Sequence, residues 1–187
     1  MEHRKKQPNR ARRGFTLAET LVTVLILLLA TAIVAAGLPA AVRAYHDVVD
    51  AANAELLLST TMTALREELG STEGFALEDD GKTLDWYKSA GLQGRKARMT
   101  SDNTGILITL ISLGDRPREL VSGAAATRRL HAEFTKIEYD TANQTFKISG
   151  LQIKQIKKDG TVLVLAEAPA EYLIRPMNPF IIGNTGS

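Results

Sequence analysis

The chain has 187 residues, with 23 Lys and Arg against 21 Asp and Glu, a net charge of +2 and no cysteine. This length allows a core of ordinary size, and the near balance of charges gives no argument that the protein as a whole binds nucleic acid. The absence of cysteine excludes disulfides, so packing alone must hold the fold together.

The first segment, residues 1–14, is a basic leader. Its one acidic residue is Glu2, and its basic residues are Arg4, Lys5, Lys6, Arg10, Arg12 and Arg13. Such a cluster beside an apolar helix stays on the cytoplasmic side of a membrane, which predicts a cytoplasmic N-terminus and an external C-terminus. Without the leader, the remaining chain has a net charge of about −3.

A long apolar run follows the leader. From Thr20 to Val42 there are 23 positions without a charged residue. As a helix this run spans roughly 35 Å at about 1.5 Å per residue, enough to cross a bilayer. Glu19 lies at the leading edge of the run, where a carboxylate is costly unless it finds a partner, so we interpret it as functional. The alternative is a side chain that snorkels to the interface from one turn inside the helix.

The sequence R-R-G-F-T-L-A-E at residues 12–19, set against the apolar run, resembles the class III signal of type IV pilins and type II secretion pseudopilins. The resemblance covers residues 1–43, and beyond them it is only architectural. It implies cleavage after Gly14 by a prepilin peptidase and N-methylation of the new terminus at Phe15. It also implies that Glu19 pairs with the cationic terminus of a neighbouring subunit during assembly.

The resemblance further implies a structural subunit, major or minor, of a type IV pilus or related pseudopilus. Such a protein crosses the lipid bilayer once, keeps its head outside the cytoplasm, and uses no cofactor and no catalytic residue. A pilus assembly platform and motor would extract it into a helical filament with other pilin subunits. Two alternatives remain open, a type II secretion pseudopilin and a competence-type subunit that binds DNA.

Two simpler interpretations of the N-terminus explain less. An ordinary secretory signal peptide is cleaved after its apolar region, whereas the small-x-small pattern Ala30, Thr31, Ala32 lies in the middle of the run. Cleavage there would expose another apolar stretch from Ile33 onward. A plain membrane anchor explains the span but not the order of residues from Gly14 to Glu19.

The apolar segment, residues 15–43, is expected to continue as an amphipathic helix over residues 44–70. Gly37 and Pro39 predict a bend or local melting between the two parts. Two apolar lines run along the second part: Tyr45, Val49, Ala52 and Leu56, then Leu58, Met62, Leu65 and Leu69. Gly70 is a plausible end of the helix.

The periodicity then changes to that of strands, which predicts an α+β fold with a β-rich head over residues 71–187. Apolar alternation or apolar runs indicate strands at 82–87, 105–113, 130–139, 145–148, 153–157 and 162–165. We expect four to six strands in one antiparallel sheet on the amphipathic half of the helix, and an irregular tail around Pro176 and Pro179.

Motifs for other chemistry are weak. The three histidines, His3, His46 and His131, have no partner at metal-ligand spacing and are expected to be solvated, so no metal site is predicted. The acidic run at residues 78–81 lacks the alternating oxygen ligands of a calcium loop, so a polar turn is expected. The DNA alternative rests on basic loop residues without interleaved aromatic residues: Arg95, Lys96, Arg98, Arg116, Arg118, Arg128 and Arg129.

Overall fold

The computed structural model of the chain describes residues 16–111, 116–122, 130–157, 159–169, 171–177 and 181–182. The first element is one long helix, α1 (Leu17–Gly70). The strands that follow are β1 (Thr72–Leu77), β2 (Thr83–Ser89), β3 (Ala97–Asp102), β4 (Gly105–Leu110), β5 (Arg118–Glu119), β6 (Leu130–Glu133), β7 (Lys136–Asp140), β8 (Thr145–Ser149), β9 (Gln152–Ile156), β10 (Val162–Glu167), β11 (Glu171–Ile174) and β12 (Ile181–Ile182). The α+β fold expected from the sequence is therefore confirmed.

The chain divides into two compact units after His46, and each is described by itself. The first unit consists, in its described part, of α1 as far as His46. Its apolar side chains are exposed throughout, from Leu17 (81%) to Val42 (46%). In the described residues α1 is the helix long and apolar enough to cross a membrane, with a mean hydropathy of 2.8 in its most apolar window. Length, composition and exposure all suit contact with lipid.

In the second unit, the remainder of α1 contributes one face to the core. Leu58, Leu65 and Leu69 are buried, which confirms the second apolar line of the sequence pattern. The first line is not buried, because Leu56 is 64% exposed and Ala52 is also exposed. Positions two residues apart lie about 200° apart around a helix, so the side chains of Leu56 and Leu58 cannot both point into the core of the head. The buried face is completed instead by small residues and one more leucine: Ala54, Leu57 and Thr61.

The strands form three sheets rather than the single sheet expected. The largest has the order β12-β1-β2-β3-β4-β5, and the others have the orders β10-β9-β6 and β11-β8-β7. All pairings are antiparallel except that of β1 with the two-residue strand β12. The tail expected to be irregular thus contributes a short edge strand. The side chains that face inward from the sheets form one core with those of α1.

A break divides the strand predicted over residues 130–139. This prediction was wrong, because β6 and β7 belong to different sheets and the chain leaves one for the other at Phe134. The buried hydroxyl of Ser101 accepts from the amide of Phe134 at 2.9 Å and donates to its carbonyl at 3.0 Å. Both backbone groups of the bend are therefore satisfied by one side chain of β3. Gly150 faces the bend at φ 61°, and a Cβ there would meet Thr135 Oγ1 at 2.3 Å, so only glycine fits.

Candidate functional site

Glu19 lies in the first turn of α1 and forms a reciprocal cap with Thr16. The amide of Thr16 donates to Glu19 Oε2 at 3.2 Å, and the amide of Glu19 donates to Thr16 Oγ1 at 3.3 Å. Two of the amides that a helix start leaves without a partner are satisfied in this way. The arrangement is a capping box, in which a Thr and a Glu three residues apart serve as caps for each other.

The capping box gives the carboxylate at the edge of the apolar segment a local partner. Among the residues that the structure describes, no Lys or Arg nitrogen lies within 4.0 Å of Glu19. Its hydrogen bonds from described residues come from Thr16, and no described cation lies beside its negative charge. The positive end of the helix dipole favours an acid at this position. The site is thus a carboxylate that is held by hydrogen bonds from Thr16 and has no cationic partner in the described part of the chain.

The other hydroxyls of the apolar segment are satisfied within the helix. Thr20 Oγ1 donates to the carbonyl of Leu17 at 2.8 Å, and Thr23 Oγ1 donates to the carbonyl of Glu19 at 2.7 Å. Thr31 Oγ1 donates to the carbonyl of Leu27 at 3.0 Å in the same manner. No free hydroxyl is presented to lipid by these residues, as a spanning helix requires. Glu19 is the one charged side chain of the segment from residue 17 to residue 42.

The predicted cleavage and methylation positions, Gly14 and Phe15, lie outside the described residues. Gly37 and Pro39 are within α1, which continues through Pro39 without a break in its helical assignment. The backbone therefore does not melt at this proline, and the bend remains a prediction.

Among the predicted basic residues that the structure describes, Arg98 and Lys96 contact acidic or aromatic side chains. Arg98 pairs with Asp85 and lies 3.5 Å from Glu78 Oε1. The Lys96 ammonium lies 4.4 Å from the centre of the Trp86 ring. Sequence reasoning missed this aromatic neighbour, because Trp86 reaches Lys96 from an adjacent strand rather than from nearby sequence. Arg95 is exposed, while Arg128 and Arg129 lie outside the described residues.

The acidic run at residues 78–81 forms a turn, as expected. Asp80 accepts from the amides of Lys82 and Thr83 at 2.8 and 2.9 Å, and from the hydroxyl of Thr83 at 2.7 Å. Partial burial raises the pKa of Asp80, but these hydrogen bonds outweigh it and hold the pKa below its usual value. Within the described ranges, no cluster of three His, Asp or Glu side chains is placed to hold a metal.

The histidines differ in their surroundings. His46 is exposed and lies edge-on to Tyr45 with ring centres 6.0 Å apart. His131 is half-buried on β6 rather than solvated as expected, and its Nδ1 is buried without a hydrogen-bond partner among the described residues. Neither histidine has the nucleophile or the second ligand that catalysis or metal binding would need in the described part of the chain.

Comparison with known proteins identifies the N-terminal segment. The family model described as the prokaryotic N-terminal methylation motif matches residues 9–35. The match includes the expected cleavage position, the capping box and the apolar run as far as residue 35. Comparisons of the chain with curated proteins and with solved structures returned no match. The methylation motif, the exposed apolar helix and the α+β head together support a class III signal of the kind that type IV pilins and pseudopilins carry.

Proposed function

We propose that the chain is a structural subunit of a type IV pilus or a related pseudopilus. The observation that carries the proposal is the position of Glu19. It lies within the matched methylation motif, caps the first turn of α1, and has no cation beside it in the described residues. An ordered acid at the edge of an exposed apolar helix suits a subunit that receives a cation from its neighbour.

The leader supports an orientation with a cytoplasmic N-terminus, because its basic residues resist transfer across the membrane. Prepilin peptidase would then cleave after Gly14 on the cytoplasmic side and N-methylate Phe15. The new α-amino group directly precedes Thr16 in the chain. Cleavage therefore creates a cation next to the capping box, on every subunit alike.

Assembly would pair the Glu19 carboxylate of one subunit with the methylated amine of the next. A buried ion pair contributes little net stability, whereas one partner left alone is heavily penalised. The pair would therefore specify the register of each incoming helix and would add little to the stability of the filament. The exposed side chains between Leu17 and Val42 face lipid before assembly and neighbouring helices afterwards.

The substitution Glu19→Gln separates the cap from the charge. Glutamine keeps an acceptor oxygen for the Thr16 amide, so the capping box survives, but the carboxylate charge is lost. In a host with prepilin peptidase, platform and motor, we expect E19Q to be cleaved normally. Its yield in sheared filaments should fall about ten-fold or more, because the methylated amine of the neighbour is left unpaired.

Glu55→Gln is the matched control, since Glu55 is an exposed glutamate of the same helix outside the apolar segment. It should assemble like the unaltered chain. Normal filament yield from E19Q would contradict the proposed pairing. If both variants lose filaments equally, charge loss anywhere on the helix is the cause, which also contradicts it.

The alternatives that the sequence leaves open differ in the assembly system to which the subunit belongs, and not in the role of Glu19. A type II secretion pseudopilin would use Glu19 in the same way, and secretion of a substrate protein would distinguish it from a surface pilus. DNA binding through Arg95, Lys96 and Arg98 remains a prediction. The pairing of Arg98 with Asp85 leaves fewer free cations for phosphates than the sequence indicated.

A further inference from the structure

A groove crosses the exposed face of the strands β2, β3 and β4. Its volume is about 520 Å³, within the range of roughly 300–1,000 Å³ of small-ligand sites. Its lining combines aromatic, charged and apolar side chains: Asp85, Trp86, Lys96, Arg98, Thr109 and Ile111. None of these residues belongs to the assembly site proposed above.

The flat wall of the groove is the indole of Trp86, the one tryptophan of the chain. Trp86 is half-buried, and the exposed Lys96 covers its ring. Ile111 adds a second apolar surface and is 47% exposed. A tryptophan face held at the surface of a sheet is a platform for apolar C–H groups. An exposed Lys ammonium can leave the ring at low cost, because such a contact is worth only about 0.5–1 kcal/mol.

The polar wall offers donors and acceptors together. Arg98 and Asp85 pair across two strands, with side chains 48% and 34% exposed, and the Arg98 Nε also donates to the Asp85 carbonyl at 3.4 Å. Thr109 is the register partner of Arg98 on β4, so its hydroxyl lies on the same face. Guanidinium N–H groups, carboxylate oxygens and a hydroxyl are thus presented side by side.

The acidic side chains around the groove argue against a phosphate ligand. Phosphates need donors only, and the carboxylates of Asp85 and Glu78 would repel them. Asp79 and Asp80 lie next to Glu78 and add to this repulsion, since they line one neighbouring pocket with Asp85. A hydroxyl group is both a donor and an acceptor, so a ligand that carries hydroxyls fits this wall without repulsion from the carboxylates.

We propose that this groove binds a neutral hexopyranose unit of an oligosaccharide. The apolar face of the sugar ring would stack on Trp86 in place of Lys96. Its hydroxyls would donate to Asp85 and accept from Arg98 and Thr109. This function is independent of filament assembly and would give the head a carbohydrate-binding face.

The test is a titration of the full chain in lauryldimethylamine oxide micelles, a detergent without sugar. The probes are chitotetraose, cellotetraose and maltotetraose. Because Trp86 is the sole tryptophan, its fluorescence reports on the groove directly. A probe at about 10 mM fills nine-tenths of sites whose Kd is about 1 mM. We expect a saturable fluorescence change with at least one probe, and no saturable response to any of the three contradicts the proposal.

Variants locate the site and identify the ligand class. Trp86→Leu and Arg98→Ala should each weaken saccharide binding about ten-fold or more. Binding to the Trp86 variant is measured by calorimetry, because this variant lacks the fluorescent side chain. Lys96→Met should leave it unchanged or strengthen it, because the ammonium only covers the ring. Lys157→Met, an exposed lysine of the β9–β10 turn, is the matched control and should bind as the unaltered chain does.

A single-stranded dT12 oligonucleotide distinguishes nucleic acid from saccharide. Saccharide binding should not change with salt, whereas binding to phosphates weakens steeply as salt is raised. A fluorescence response to dT12 alone, lost at high salt and in Lys96→Met, would make the groove a nucleic-acid site and overturn the proposal. Saccharide binding that survives Trp86→Leu would also overturn it.

Discussion

Thr16 and Glu19 are hydrogen-bonded to each other in both directions at the start of α1. The amide of each residue donates to the side-chain oxygen of the other, at 3.2 and 3.3 Å. The acid at the leading edge of the apolar segment, within the matched methylation motif, therefore also caps the helix. A capping role gives this carboxylate hydrogen-bond partners within the chain before the proposed neighbouring subunit supplies a cation.

Thr16→Val should loosen this first turn without changing the charge of the segment. The valine has the shape of threonine but no hydroxyl oxygen, so the amide of Glu19 loses its acceptor at a cost of about 0.5–2 kcal/mol. Hydrogen exchange of the full chain in micelles should show faster exchange at the amide of Glu19. Thr23→Val is the control, because the Thr23 hydroxyl donates only to a helix carbonyl. Equal protection of the Glu19 amide in all three chains would contradict the capping role.

Two adjacent leucines of α1 should respond oppositely to truncation. Leu57 is 4% exposed and Leu56 is 64% exposed. Leu57→Ala removes buried methyl groups and should lower the free energy of unfolding of the head by about 2–5 kcal/mol. Leu56→Ala should change it by less than about 0.5 kcal/mol. Urea unfolding monitored by Trp86 fluorescence measures both, and a large loss from Leu56→Ala would contradict the orientation of the helix in the head.

The sequence predicts much of this fold because local patterns are strong in it. The helix predicted over residues 15–70 is observed from Leu17 to Gly70, because apolar residues recur along its whole length. The strand at 145–148 is observed at Thr145–Ser149 because it alternates cleanly. By contrast, β3 (Ala97–Asp102) is missed because its inward residues include Ala97 and Ser101, which do not read as a hydrophobic face.

Other features depend on contacts that no local pattern records. The division of residues 130–139 between two sheets depends on Ser101, about thirty residues earlier in the chain. The groove at Trp86 depends on the pairing of β2 with β3. The capping box is the exception among the site features, because the Thr-x-x-Glu spacing at residues 16–19 could have been recognised from the sequence.

Ser101→Ala should destabilise the head more than its small volume change indicates. Ser101 is 4% exposed, and without its hydroxyl both the amide and the carbonyl of Phe134 lose their partner. A buried backbone group left unsatisfied costs about 1–3 kcal/mol, so a loss of roughly 2–4 kcal/mol in the free energy of unfolding is expected. Ser59→Ala, at an exposed position of α1, is the control. If Ser101→Ala unfolds at the same urea concentration as the unaltered chain, the account of the bend is wrong.

Lowering the pH should destabilise the head, in part because it protonates Asp80. Its folded-state pKa lies below the usual value of 3.8 because hydrogen bonds from Thr83 and Lys82 outweigh the effect of burial. A group with a lowered pKa contributes stability that is present above its unfolded pKa and is lost as the pH falls through the folded pKa. Asp80→Asn should therefore reduce the fall in unfolding free energy between about pH 5 and pH 2. Asp79→Asn is the charge-matched control. If the unfolding free energy falls equally between about pH 5 and pH 2 in the Asp80 and Asp79 variants, Asp80 is not the group responsible.

The central claim is tested most directly by the intact mass and N-terminal sequence of the chain coexpressed with a prepilin peptidase. The account predicts a mature chain that begins at Phe15 and carries one methyl group on its α-amino nitrogen. Gly14→Val, which puts a branched side chain at the cleavage position, should leave the precursor uncut. An uncut precursor of the unaltered chain, or a chain that begins at Ile33, would contradict the proposed function as a pilin or pseudopilin subunit.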